Sequence, residues 1–438
     1  LFLMADVQPL KGIRYSDNLG SELAQLVTPP YDVISKEAQA GYYARHPHNI
    51  IRLELGEEYP DDNTLNNRYT RAAAALAEWR LQGILRQDTQ PGYYLYQQVF
   101  AYGGQFYTRT SLLARVRLEP WSSQVVLPHE HTLAKPKDDR LKLLRATATN
   151  LSPIMSLYND PQGRIRGLLS AYAASADVQL TDEVNEVHRL HHITDAGQIA
   201  LIQNFFAERQ LYIADGHHRY ETALAYREEI REQRRQLHVD DAAQFVLMAL
   251  IDVDDPGLLV LPTHRLLTGL PPQTLSALTT ERLAQYFTVQ ELGTDINSEK
   301  MLTQLTQAHE EEPTLVVATA AQNWLLRLNE QGRERMAQSG HSDAWNSLDV
   351  AVAHTLLLEA LLGIQSEDVT AGTYVRYTRD AQQAVQAVQN GEAQLALLLN
   401  PTRVRQIRDV ALADDRMPQK STYFYPKLIT GLVMNPLW

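Results

Sequence analysis

The densest group of reactive side chains is Asp215-Gly216-His217-His218-Arg219, preceded by Leu211-Tyr212-Ile213-Ala214 and followed by Tyr220-Glu221. Apolar residues running into Asp-Gly, then a helical pattern, read as strand, tight turn and helix N-terminus. A helix start presents unpaired backbone N–H groups, which suits an anion and above all a phosphate. Arg219 falls in the first helical turn, where its fork can close over a bound oxyanion. His217 and His218 can donate hydrogen bonds or move protons. Asp215 would repel a phosphate. It is read instead as a helix cap, a magnesium ligand or an orienter of a histidine.

Four further groups carry candidate chemistry. Pro128-His129-Glu130-His131-Thr132 leads to Lys135, Asp139 and Arg140. In an extended chain His129 and His131 share one face, with Glu130 on the other. They offer two metal ligands, and the neighbouring charges suit an anion site. Leu261-Pro262-Thr263-His264-Arg265 is a second strand end bearing His-Arg. Arg416 to Lys427 packs Lys420, Ser421, Thr422, Tyr423, Tyr425 and Lys427 together. A lysine beside hydroxyls can grip phosphate oxygens, although the glycines of a Walker loop are missing. Asp32 follows Pro29-Pro30-Tyr31 and is expected to be stiffly held, as a base, a magnesium ligand or a helix-start acid. His188, His191 and His192, with Asp195 nearby, could bind a metal, but alternation on an exposed strand accounts for them equally well, and a structural role is expected. His46, His48, His238, His309 and His341 sit among polar residues and carry no argument.

Periodicity gives the elements that must hold these groups. Helices are expected from Ser35, over 66–82, 198–209, 217–236, 274–286, 349–362 and 378–390, and from 401 to about 413. Strands are expected at 50–55, 258–262, 287–292, 314–319, 323–329 and 393–399. Residues 92–100 and 105–118 flank Tyr102-Gly103-Gly104 as a hairpin. The alternation predicts an α+β (mixed α/β) fold. Three regions are expected: 1–120, contributing to the site; 121–270, the core with the Asp-Gly-His-His-Arg motif; and 271–438, an additional α/β domain whose tail returns to the site.

Composition limits the partners. A chain of 438 residues with 44% hydrophobic content is ordinary globular protein in two or three domains. No apolar run reaches the roughly 18–20 residues of a membrane span. The net charge of −12 disfavours nucleic acid and leaves a small anionic ligand in a focused pocket. The basic run 231–235 reads as a solvated helix face. With no cysteine there is no thiolate catalysis and no Cys-ligated metal, and a cytoplasmic location is expected. Met4 is expected to be the natural start.

Residues 214–223 resemble the signature of the prokaryotic family known as domain of unknown function 1015. The segments 28–35, 129–140, 150–153, 262–265 and 417–431 also match that family's pattern. It carries no settled activity. Strand–Asp-Gly-x-His-Arg–helix is also similar to the nucleotide-site motif of the ParB/sulfiredoxin-like superfamily, which includes free-serine kinases. That resemblance implies a ParB/sulfiredoxin-like core and gives Asp215, Gly216, His218 and Arg219 a phosphate or magnesium role. Sulfiredoxin chemistry needs a cysteine that the chain lacks, and the acidic charge argues against a DNA clamp.

The resulting expectation is a phosphotransferase acting on a small hydroxylated metabolite such as free serine, with a nucleotide or pyrophosphate donor and Mg2+. Asp32 or Glu130 would take the hydroxyl proton. Arg140, His218, Arg219, His264, Arg265, Lys420, Ser421, Thr422 and Lys427 would bind the donor. A metal-dependent hydrolase of a phosphorylated small molecule, using His129, His131, His217, His218 and Asp215, and a non-catalytic phospho-ligand sensor are the alternatives.

Overall fold

The computed structural model describes residues 4–172, 174, 176–294, 296–308 and 312–438. Residues 1–3 and His309 lie outside them. The fold is mixed α/β, in two compact units. The first comprises residues up to Pro128, Thr132–Leu259 and Pro426–Trp438. The second comprises His129–His131 and Val260–Tyr425.

The first unit is built on a nine-stranded mixed sheet. In chain order its strands are β1 (Val7–Gln8), β2 (Tyr93–Tyr102), β3 (Gln105–Arg117), β4 (Val126–Leu127), β5 (Ile154–Tyr158), β6 (Val178–Thr181), β7 (Val187–Ile193), β8 (Leu211–Asp215) and β9 (Phe245–Asp252). They lie in the order β4-β8-β5-β9-β3-β2-β7-β6, with β1 paired to β3. The regions expected as 1–120 and 121–270 therefore share one sheet: β3, from the first, pairs with β9 of the second over six residues. Hydrogen bonding across β3–β9 leaves no domain boundary at residue 120.

Besides the short helix Leu23–Leu26, the helices of this unit include α1 (Lys36–Arg45), α2 (Ile51–Glu54), α3 (Arg68–Leu81), α4 (Ala134–Thr147), α5 (Arg164–Ala171), α6 (Ala196–Phe206) and α7 (His217–Arg234). Ser35 Oγ caps α1 by accepting from the Ala38 N–H, as its residue type predicts. One sheet face is apolar. Leu95, Leu112, Ala114, Ile154, Ile213 and Met248 pack there with Ile165 of α5, Phe206 of α6 and Tyr220 of α7.

The register makes the other face polar, because directly paired residues share a face. Gln98 pairs with both Arg109 and His188, and Tyr96 with Ser111. All five are at most 1% exposed. Asp215 joins this face through an irregularity at the end of β8. Ile213 pairs with Ser156 but Asp215 pairs with the adjacent Met155. Simple alternation would have kept residues 213 and 215 on one side. The bulge turns Asp215 away from the apolar core.

Two expectations fail locally. Residues 50–55 alternate like a strand, yet 51–54 form the short helix α2, in which Ile51, Leu53 and Glu54 are all buried. Residues 274–286 hold two short helices, Pro272–Ser276 and Thr280–Leu283, in place of one long one.

The second unit carries a six-stranded sheet. Its strands are β10 (His264–Leu267), β11 (Phe287–Leu292), β12 (Thr314–Ala318), β13 (Asn323–Leu328), β14 (Val375–Thr378) and β15 (Leu395–Leu399), in the order β11-β13-β12-β15-β10-β14. The helices Ser298–Ala308 and Ala381–Gln389 supply Met301, Leu305, Ala384 and Val388 to its core. The helix expected over 349–362 is α-helical only at Asp349–Val352 and continues as a π-helix at Ala353–Leu361. This unit begins at Val260, ahead of the expected boundary at residue 271, because β10 is one of its interior strands. No described helix is long and apolar enough to cross a membrane.

Candidate functional site

Strand β8 ends at Asp215, and Gly216 makes the turn into α7. Gly216 is the N-cap, with φ +102° and no side-chain cap. A Cβ at this position would also lie 3.0 Å from Arg219 Nη2 and 3.2 Å from its Cζ. The backbone angle favours glycine, and the guanidinium folded over it leaves little room for a Cβ. The 18-residue α7 has no acidic residue in its first turn. Its positive end is not offset by its own side chains.

Arg219 is held from the loop before β5. Its Nη1 donates to Pro153 O at 2.6 Å and to Ser152 Oγ at 3.2 Å. Ser152 Oγ in turn donates to Glu54 Oε1 at 3.0 Å. Glu54 is 2% exposed and meets Arg140 of α4. Arg140 Nη1 lies 3.5 Å from Glu54 Oε1 and donates to Glu54 O at 2.9 Å, while its Nε donates to Asp139 Oδ2 at 2.7 Å. The Arg140 guanidinium stacks 3.9 Å from the centre of the Tyr31 ring. Burial pushes the Tyr31 hydroxyl up to about 12, against the opposing charges of Arg140 and Arg219. A cavity of about 50 Å³ lies among Glu54, Arg140, Asn150, Ser152, Arg219 and Thr222. It has room for a water or two, not for a nucleotide.

On the sheet side, Lys427 Nζ donates to Asp215 Oδ2 at 2.8 Å. Burial alone would raise the Asp215 carboxyl. Lys427, Arg219 and His217 reverse that and hold it well below the usual carboxylate range. Asp215 is therefore a charged partner of Lys427, not the helix cap that was one of its expected roles. The Lys427 carbonyl accepts from Gln98 Nε2 at 3.0 Å, and Gln98 Oε1 accepts from Arg109. His217 is buried, at 3% exposure. His218 Nε2 accepts the Leu133 N–H at 2.9 Å, which places any proton of the neutral ring on Nδ1. Glu221, one turn on, accepts from Thr132 Oγ1 at 2.6 Å and Lys137 Nζ at 2.8 Å.

Of the residues singled out in the sequence, Arg140, Asp215, Gly216, His217, His218, Arg219 and Lys427 thus meet within the first unit. Asp32 belongs to it too, exposed on the 3-10 turn Tyr31–Val33 beside Tyr31. His129, Glu130, His131, His264, Arg265, Lys420, Ser421 and Thr422 belong to the second unit. Thr422 Oγ1 lies 3.3 Å from His129 Nε2, and the Ser421 hydroxyl donates to Pro418 O. Glu130 bridges to Met417. Arg265 Nη1 donates to Thr263 O at 2.5 Å. His264 Nδ1 accepts the Leu399 N–H at 3.2 Å. Lys420 is exposed with φ +57°. The near-terminal lysine-hydroxyl cluster is therefore split, with Lys420–Thr422 in one unit and Lys427 in the other.

The motif and the residues that brace it fall inside a long match to a known family. The sequence profile described as "Protein of unknown function (DUF1015)" matches residues 7–351. The chain belongs to the DUF1015 family. Residues 417–431, including Lys427, lie beyond the matched span. No curated protein sequence matches this DUF1015 chain. Among solved structures it is similar to a conserved hypothetical protein from Pyrococcus furiosus (11% identity, 74% of this chain and 95% of that one, TM-score 0.34). A free serine kinase in complex with AMP gives 11% identity, 74% and 92% coverage, and a TM-score of 0.36. SbnI with a C-terminal truncation, from Staphylococcus aureus, gives 12%, 73% and 86%, and 0.35.

Sequence reasoning missed Glu54 and Arg109, and it placed Ser152 in a matched segment without giving it a role. Glu54 stands in Ile-Arg-Leu-Glu-Leu, and an acid within so apolar a stretch is the signal that it is buried and paired. Ser152 lies next to a proline whose carbonyl Arg219 uses, which no local pattern reveals. Arg109 stands in a polar part of β3 that reads as solvent-facing.

Proposed function

We propose that this protein is a phosphotransferase that binds the phosphates of a nucleotide or pyrophosphate at the start of α7 and passes a phosphoryl group to a small hydroxylated metabolite, with free serine the first acceptor to test. The observation that carries the reading is Arg219 folded over Gly216 and braced by Pro153 O and Ser152, beside a helix start with no acid in its first turn. That arrangement supplies oriented N–H donors and a fixed guanidinium for an oxyanion. Its similarity to the nucleotide motif of the ParB/sulfiredoxin-like superfamily supports the same role.

Asp215 fits a magnesium role: it is ionised, and its partner Lys427 is a cation that an incoming phosphate can also attract. A magnesium ion held there with the donor phosphates would neutralise charge on the transferred group. The acceptor hydroxyl oxygen bonds to phosphorus as the bond to the leaving phosphate breaks, and the hydroxyl proton passes to a carboxylate. Asp32 is the favoured base, because its neighbour Tyr31 packs on Arg140 and senses the charge of Arg219. Glu54 is committed to Ser152 and Arg140. The hydrolase reading draws no support from His218, whose Nε2 is taken by Leu133.

The test is a transfer screen of ATP, ADP and pyrophosphate against amino-acid and sugar acceptors with magnesium. Transfer that is lost in Arg219→Ala and in Asp32→Asn supports the reading. Donor binding with no turnover on any acceptor would make the protein a sensor. Turnover indifferent to Arg219→Ala would remove the motif from its centre.

A further inference from the structure

The turn joining β6 to β7 gathers three ligating side chains. Asp182, Glu186 and His188 each offer one ligand atom, and those atoms lie within 4.8 Å of one another. Glu186 and His188 are 7% and 1% exposed. His188 Nε2 stands 3.2 Å from Asp182 Oδ2. That is hydrogen-bonding distance, and it lies close to the edges of about 3.3–3.6 Å that ligand bonds of about 2.0–2.2 Å set in a tetrahedral site.

The surroundings orient these atoms as metal sites usually do. The Tyr96 hydroxyl lies 2.8 Å from His188 Nδ1, which fixes the ring and leaves Nε2 facing Asp182. Asp182 Oδ1 accepts the N–H groups of Val184 at 3.0 Å and Glu186 at 2.8 Å, so Oδ2 is the oxygen turned to the histidine. The turn closes through Asp182 N to Glu186 O at 3.0 Å, with Asn185 at φ +65°. Two carboxylates this close favour positive charge between or beside them. Arg109 is within electrostatic reach of Glu186 and supplies one positive charge.

We propose that Asp182, Glu186 and His188 form a binding site for a divalent transition-metal ion, with zinc the expected occupant. One imidazole and two carboxylates suit zinc or manganese better than the all-oxygen shells of calcium and magnesium. Three protein ligands leave a fourth position for water or a ligand. The site is separate from the proposed magnesium role of Asp215 and stands or falls independently of it.

The test uses the full chain, stripped by a chelator and titrated separately with Zn2+, Co2+ and Mg2+. One Zn2+ per chain is expected, with a visible Co2+ absorption band and no competition from Mg2+. Asp182→Asn keeps the Oδ1 acceptor for Val184 and Glu186, so it preserves the turn. It should weaken Zn2+ binding by more than the about 10–100-fold typical of an outer-shell partner, with an unchanged far-UV CD spectrum. His188→Gln should do the same. A protonated His188 that merely pairs with the carboxylates predicts no uptake at all. No uptake by wild type, or equal affinity in Asp182→Asn, would overturn the proposal.

Discussion

Gly216→Ala should destabilise the first unit through two separable effects. The backbone at φ +102° is left-handed, which costs an L-residue about 1–2 kcal/mol. The new Cβ also meets the Arg219 guanidinium at 3.0–3.2 Å, tighter than ordinary contact. Arg219 must then shift, and its 2.6 Å bond to Pro153 O weakens. A hydrogen bond from a charged group contributes about 1.5–3 kcal/mol, and Arg219 is only part-buried, so about 1 kcal/mol is the expected loss. The total is about 2–3 kcal/mol. In an Arg219→Ala background the clash is gone and only the backbone cost remains. The double-mutant cycle should therefore show a coupling of about 1 kcal/mol. Hydrogen exchange of the α7 amides is the suitable assay, because it reports on this unit within a two-unit chain. Strict additivity, or a Gly216→Ala cost below about 0.5 kcal/mol, would refute the close packing of Arg219 on Gly216.

Lys427→Met removes the main cation holding Asp215 ionised. Asp215 has a folded pKa below its unfolded value, so its contribution is present above the unfolded pKa and lost as pH falls through the folded one. The variant should lose about 2 kcal/mol at pH 7, and the difference from wild type should hold down to about pH 4 and shrink only below it in urea unfolding. A difference that grows in acid would contradict this. Burial first, and Arg265 second, lower His264 to about 4. A folded pKa below the unfolded value of about 6.5 means that the unfolded chain binds the proton first, so stability falls as pH drops from about 6.5 to 4. The loss amounts to about 3 kcal/mol, as the Leu399 N–H loses its Nδ1 acceptor. NMR titration showing His264 near 6.5 would contradict it. Glu54→Ala should cost about 3 kcal/mol in thermal melts, because it strands Arg140 and the Ser152 hydroxyl. A loss below about 1 kcal/mol would show that the Glu54 network is not a brace.

The local parts of the site were legible because their signals are local. Leu211 to Glu221 announces strand, turn and helix by residue order, and Gly216 takes the left-handed turn that only glycine adopts freely. The hairpin at Gly103-Gly104, the Ser35 cap and the strand through His188 follow the same logic. What was not legible depends on distant segments. Lys427 meets Asp215 across 212 residues. Ile50 to Leu55 alternates apolar and polar, yet α2 is enclosed on several sides, and a fully buried single turn shows no helical period. Asp32 drew attention through its stiff Pro-Pro neighbour, whereas the adjacent Tyr31 is what packs on Arg140. The domain boundaries were misplaced because β3 pairs with β9 over more than a hundred residues of chain, and no composition shift marks that pairing.

The central claim is that Arg219 and the start of α7 hold the donor phosphates. Calorimetric titration of ADP into wild type and Arg219→Ala, with magnesium present, tests it most directly. Saturable binding that weakens about 10–100-fold in the variant is the predicted result, from the loss of one charge-assisted contact. Equal affinity in the two proteins, or no saturable binding to wild type, would contradict it.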